Sequence, residues 1–177
     1  MHANSMAIPR PNSEFGSQPK VLLVEDNSTN LLLARRVLEK AGYRVEVAVN
    51  GREGVEVAKQ QVFDVILMDV QMPVLDGCAA SREIRRFPGW AGRVPIIALT
   101  ASVYSEDSKR CFEAGMDDFI GKPFKTGELV KKCQQWISRR PAESVEQLNE
   151  AQPPPASPDA DQLAGVATGA TREANTR

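Results

Sequence analysis

Several polar residues in this chain stand where apolar runs end. "VILM" (65–68) leads straight into Asp69. "KVLLVE" (20–25) ends in Glu25 and is followed by Asp26, "VPIIALT" (94–100) ends in Thr100, and "DDFIG" (117–121) is followed by Lys122. If the ends of these runs converge, three carboxylates face one another and repel, and at least one has a raised pKa. A hard divalent cation relieves that repulsion, and an all-oxygen donor set favours Mg²⁺. Lys122 adds a positive point charge and Thr100 a hydroxyl donor. A cation, a lysine and a hydroxyl around one carboxylate make a site shaped for a phosphoryl group. An Asp carboxylate can act as the nucleophile and form an aspartyl phosphate, while its neighbours stabilise the transferring charge.

Whether they converge depends on the elements that carry them. Strands are expected at 20–25, 44–49, 64–68, 94–100 and 117–121, and helices at 28–42, 51–61, 77–87, 105–115 and 126–140. Leu31, Ala34, Leu38 and Ala41 recur at helical spacing, with Gly42 as a stop. Val55 and Ala58 face inward in the second helix, and Ile84 does so in the third, which Pro88-Gly89 ends. The fourth opens on a capping signal at Ser105 and closes at Gly115, and the fifth aligns Leu129, Cys133, Trp136 and Ile137 on one side. "RVEVAV" (44–49) alternates, as an edge strand does, whereas the third and fourth strands are continuously apolar.

Regular strand–helix alternation predicts one α/β domain, a (βα)5 doubly wound five-stranded parallel sheet with helices on both faces. The strand order assigned is the flavodoxin-like 2-1-3-4-5, which periodicity alone does not reveal. Parallel strands all end on one edge, where ligands bind. With the first and third strands adjacent, Glu25, Asp26 and Asp69 meet where the strand order reverses, and Thr100 and Lys122 fall on the same edge.

The chain has 177 residues, 42% apolar and 25% charged, with 22 Lys plus Arg against 23 Asp plus Glu and a net charge of −1. No basic excess suggests a nucleic-acid partner. No apolar run approaches the roughly 20 residues that span a bilayer, and the start lacks the apolar region of a signal peptide; no membrane insertion and a cytoplasmic location are expected. The single histidine, His2, lies in the leader, which excludes histidine catalysis, a histidine-held metal and a phosphotransfer histidine from the folded part. Cys78, Cys111 and Cys133 are odd in number and widely spaced, and read as free thiols in a reducing compartment. Residues 1–19 read as a disordered leader, in which "NSEFGS" resembles a cloning junction. Residues 20–140 form the domain, and 141–177 a disordered tail too poor in large apolar residues to offset ordering entropy. No effector domain is expected after residue 140.

Four stretches together resemble the receiver domains of two-component response regulators: "LLVEDN" (22–27), "ILMDVQMPVLDG" (66–77), "IIALTA" (96–101) and "AGMDDFIGKPF" (114–124). The resemblance runs from about Lys20 to Ile137 and is greatest to receivers of hybrid sensor histidine kinases. It implies that Asp69 accepts a phosphoryl group from a phosphohistidine on a sensor histidine kinase or a histidine phosphotransfer protein. It implies Mg²⁺ held by Glu25, Asp26, Asp69 and the backbone carbonyl of Gln71. Lys122 would contact the phosphoryl oxygens, Thr100 would hydrogen-bond the group and move toward it, and Phe119 would be the aromatic switch that turns inward. The Lys122–Pro123 bond is often cis in the family, at the modest cost X–Pro bonds allow. Two positions depart from the pattern. Glu25 stands where many receivers have Asp, and its extra methylene shifts metal binding toward a water-mediated contact. Phe119 stands in place of Tyr and loses a hydroxyl.

The function implied is two-component signal transduction: a phosphoprotein that switches the face made by its fourth helix, fifth strand and fifth helix. It is a phosphoacceptor rather than an enzyme, though it promotes its own phosphotransfer and slow autodephosphorylation. A phosphorylation-dependent dimer is compatible with it. One alternative is a degenerate receiver, a protein-interaction module that works without phosphate. Another is an enzyme on the same fold. Against that, Gln71 stands where haloacid-dehalogenase-type phosphatases carry a second Asp, and "EDNSTN", not a glycine-rich loop, follows the first strand. Plainer assignments cover the rest. Asp76-Gly77 reads as turn chemistry and nothing more. Met68, Met72 and Met116 read as packing, and Lys131, Lys132, Arg139 and Arg140 as a solvated helix face.

Overall fold

Side-chain direction repeats with a period of 2 in the strands and about 3.6 in the helices, and this sets the layers of the domain. The computed structural model describes residues 18–101 and 106–139. The chain alternates β1 (Lys20–Val24), α1 (Ser28–Lys40), β2 (Arg44–Ala48), α2 (Gly51–Gln60), β3 (Val65–Asp69), α3 (Gly77–Arg85), β4 (Ile96–Thr100), α4 (Glu106–Glu113), β5 (Asp118–Gly121) and α5 (Thr126–Ile137). The five strands form one parallel sheet in the order β2-β1-β3-β4-β5, as assigned from the sequence.

Each strand sends alternate side chains to opposite faces. Leu22, Val24, Ile66, Met68, Ile96 and Ala98 pack with α2, α3 and α4. Val21, Leu23, Val65, Leu67, Ile97, Leu99 and Ile120 pack with α1 and α5, where Ala34, Leu38, Leu129 and Cys133 are buried. β3 and β4 are buried on both faces and β2 is the half-exposed edge strand.

The element ends depart from the sequence expectation for local reasons. β4 begins at Ile96 rather than 94, because Pro95 has no N–H to give and offers only its carbonyl, which accepts from Ile66 N at 2.8 Å. β5 begins at Asp118 rather than 117. Asp117 Oδ2 accepts from Ile96 N at 2.8 Å and pairs with Arg85 Nη2 at 2.7 Å. Arg85 also donates to the carbonyls of Gly115 and Val94, each at 2.7 Å, so one guanidinium ties the end of α3 to the segments that lead into β5 and β4. α3 stops at Arg85 because Arg86 and Phe87 close with i→i−3 bonds before Pro88. The proposed leader and tail, the Ser105 cap and Arg140 lie outside the described residues, apart from Gln18 and Pro19.

Ser81 lies fully buried in α3, and its hydroxyl has no hydrogen-bond partner among the described residues. An unpaired buried hydroxyl costs about 1 kcal/mol or more, and alanine is the better helix former. Ser81→Ala is therefore expected to stabilise the domain by about 1 kcal/mol, read as a higher urea midpoint at unchanged m-value.

Candidate functional site

The strand period explains why three of the expected residues meet. Glu25 lies two residues beyond Leu23, Asp69 two beyond Leu67, and Lys122 two beyond Ile120, so all three share the sheet face of the α1–α5 core. The ladder continues past the assigned strand ends: Glu25 N donates to Ala48 O at 3.1 Å and Lys122 N to Thr100 O at 2.7 Å. Lys122 Nζ sits 2.7 Å from Glu25 Oε2 and 2.7 Å from Asp69 Oδ2, bridging the two carboxylates. Its contact to Glu25 Oε2 is electrostatic, since that oxygen accepts no directed hydrogen bond. Glu25 is only 1% exposed, and its other oxygen accepts from Asn27 N at 3.3 Å and Asn30 Nδ2 at 3.2 Å. Asn30 is a support the sequence reading missed; a polar residue in the first turn of α1 carries no signal of its own.

Asp69 is 5% exposed, and Gln71 N donates to its Oδ1 at 3.2 Å. Burial pushes its pKa up from the ordinary value. The Glu25 charge adds to that rise, while Lys122 and the Gln71 amide oppose it. Asp26 is exposed at the rim and completes the acidic group: Glu25, Asp26 and Asp69 each offer an oxygen, all within 4.8 Å of one another. One ammonium against three carboxylates leaves net negative charge on a converging oxygen set, which fits a hard divalent cation.

Thr100 is buried at the end of β4, opposite Gly121 of β5. By parity it lies on the other face of the sheet, in line with Ala98, whose partner is Phe119. The structure thus groups Glu25, Asp26, Asp69 and Lys122 directly, whereas Thr100 and Phe119 fall on the sheet face that packs against α2, α3 and α4. The Lys122–Pro123 bond is cis, as the resemblance implies.

Asp76 and Gly77 do more than turn the chain. The Asp76 carboxylate caps α3, accepting from Ala79 N at 2.7 Å. A Cβ on Gly77 would lie 2.0 Å from the Asp69 carbonyl oxygen, so only glycine lets α3 start against the carboxylate-bearing strand. Val74, at the tip of the same loop, takes φ 70°, a left-handed conformation costly for a β-branched residue. Its side chain is 81% exposed, so little packing is lost on replacing it. Val74→Asn is expected to raise stability by about 1 kcal/mol, measured by urea unfolding.

The solvated-face assignment fails at Lys132. Its Nζ holds both Asp118 oxygens, at 2.6 and 2.7 Å, and lies 5.8 Å from the centre of the Phe119 ring. Trp136 Nε1 also donates to Asp118, at 2.9 Å, and Arg139 stacks on Trp136 at 5.0 Å. Burial alone would raise the Asp118 pKa, but the Lys132 ammonium, the indole and the Phe119 amide bring it below the ordinary range. Phe119 meets Phe112 of α4 edge-to-face at 6.0 Å. Its ring is thus held between α4 and α5.

Residues 21–134 match the response regulator receiver domain model. The chain belongs to the response regulator receiver domain family. It is 47% identical over 127 residues to hybrid signal transduction histidine kinase K of Dictyostelium discoideum, covering 68% of this chain and 10% of that protein. It is 38% identical over 138 residues to the sensor protein GacS of Pseudomonas syringae, covering 75% of this chain and 15% of that one. The chain therefore spans only a small part of the curated relatives it matches. Among solved structures, the receiver domain of sensor histidine kinase PA1611 from Pseudomonas aeruginosa is 46% identical with a TM-score of 0.65, over 69% of this chain and 99% of that one. That structure has a magnesium ion in its active-site cleft. The receiver of the Saccharomyces cerevisiae response regulator Ssk1, solved with the histidine phosphotransfer protein Ypd1, is 33% identical with a TM-score of 0.63, over 68% of this chain and 90% of that one.

Proposed function

We propose that Asp69 accepts a phosphoryl group from a phosphohistidine, with Mg²⁺ held at Glu25, Asp26, Asp69 and the Gln71 carbonyl. The observation that carries this reading is the Lys122 ammonium bridging two buried carboxylates beside an exposed third. An Asp69 oxygen attacks phosphorus as the phosphorus–nitrogen bond of the donor breaks. Lys122 then exchanges part of its carboxylate contact for the phosphoryl oxygens, and the Thr100 hydroxyl approaches from the end of β4. The cation, when bound, neutralises charge on the transferring group. Phosphorylation adds about 1.5 to 2 negative charges, enough to draw Thr100 inward and free space for Phe119. The α4–β5–α5 face, carrying Phe112, Phe119 and Lys132, is then the output surface.

The receiver unit is 20–140, and the reaction belongs to the cytoplasm. Three cysteines, odd in number and widely spaced in the sequence, are consistent with that compartment. The donor is a sensor histidine kinase or a histidine phosphotransfer protein, supported by the hybrid-kinase relatives and by the Ypd1 complex of a similar receiver. Incubation with acetyl phosphate followed by intact mass measurement tests the reading. A gain of one phosphoryl group that requires Mg²⁺ supports it. No gain from acetyl phosphate or from a phosphorylated histidine donor would leave a phosphate-independent interaction module.

A further inference from the structure

Cys78, in the first turn of α3, and Cys111, in α4, face each other with their sulfurs 4.0 Å apart. Neither is in a disulfide, and both are buried, at 1% and 2% exposure. Cys78 also lines a cavity of about 340 Å³ under the β3–α3 loop, together with Val70, Gln71, Met72, Asp76 and Arg110. The cavity is large enough for a molecule of a few heavy atoms, and Cys78, whose sulfur lies 4.0 Å from a second thiol, forms part of its wall. We propose that Cys78 and Cys111 form a modification site, a dithiol that a small hydroperoxide entering this cavity converts to a disulfide linking α3 to α4.

The chemistry closes without further reagents. The Cys78 sulfur attacks the near peroxide oxygen, the O–O bond breaks, and the thiol proton leaves with the departing oxygen as water or alcohol. The Cys111 sulfur then displaces hydroxide from the resulting sulfenic acid, and its proton joins that hydroxide as water. Two thiols are oxidised by two electrons and one hydroperoxide is reduced. Sulfurs 4.0 Å apart are in contact, and the remaining approach to a bond of about 2.05 Å is of side-chain scale. The third cysteine is an internal control. Cys133 lies on the opposite face of the sheet, and burial pushes its thiol up to about 12.

The crosslink would fix the helix whose Phe112 packs on Phe119. It does not depend on phosphate chemistry at Asp69. The test exposes the folded full chain to hydrogen peroxide in native buffer, then traps remaining thiols by alkylation in denaturant. The expected result is loss of two hydrogens, a linked peptide pair containing Cys78 and Cys111, and one alkylated thiol at Cys133. Amide exchange across 106–113 should slow several-fold and recover with dithiothreitol. Cys133→Ser should behave as the parent, and Cys78→Ser should form no crosslink. Overoxidation of Cys78 with Cys111 still alkylatable would overturn the proposal, as would a crosslink that forms only in denaturant.

Discussion

At neutral pH an Asp69→Asn chain is expected to melt above the parent while taking up no phosphoryl group from acetyl phosphate. The loss follows because an amide offers no carboxylate nucleophile. The gain in stability follows from the site's electrostatics. Asp69 is buried beside Glu25, and its folded-state pKa lies above the ordinary value despite Lys122. A carboxylate raised in this way leaves stability intact below its unfolded pKa of about 3.9 and costs stability as pH rises through the folded value. Asparagine removes that cost and leaves Lys122 paired with Glu25. The expected gain is about 1 kcal/mol, roughly 4 °C in Tm, fading as pH falls through the carboxylate range. Calorimetry from pH 4 to 8 checks it, and an equal difference at all pH values would contradict the electrostatic cause. If Mg²⁺ is held at the three carboxylates as proposed, it should raise the Tm of the parent more than that of the variant, which lacks one of them.

Lys122→Met should act in the opposite direction. The ammonium is the counter-charge to Glu25 and Asp69, which are 1% and 5% exposed. Removing one partner of a buried ionic group leaves uncompensated charge, at a cost of about 3 kcal/mol. Methionine keeps the length of the side chain, so the loss is of charge rather than volume. The deficit should shrink on acidification, as the carboxylates protonate, and on adding Mg²⁺, which replaces the missing positive charge. Phosphoryl uptake should fall about a hundredfold, the scale for removing one group that stabilises transferring charge. In the Lys122→Met, Asp69→Asn double variant the stability loss should be smaller than in Lys122→Met alone, because one of the stranded carboxylates is gone. Urea unfolding of the four chains measures this coupling, and strict additivity would show that the bridge is energetically inert.

Much of the architecture was legible in local pattern. Alternation in "RVEVAV" marked an edge strand and unbroken apolar runs marked the two buried ones, since burial on one or both faces dictates those patterns directly. The acidic residues, Thr100 and Lys122 could be singled out together because a parallel sheet puts every strand end on one edge. What escaped were interactions between residues distant in sequence. Lys132 read as part of a solvated helix face, and Arg85 drew no assignment at all. Their roles appear only when Asp117 and Asp118 arrive from another element. Asp76 and Gly77 read as a turn, and only the close approach of α3 to Asp69 assigns the glycine its purpose.

By itself, then, the sequence determined the order of elements, the face each strand residue occupies and the kind of group standing at each strand end, because periods of 2 and 3.6 are local properties of the backbone. Tertiary structure decided that Lys122 bridges Glu25 and Asp69 rather than pairing with one, that Asp26 stays at the rim, and that Phe119 is held between Phe112 and Lys132. Those outcomes depend on which strands are neighbours and how far each helix sits from the sheet. Side-chain packing among distant segments sets both, and no local pattern encodes them.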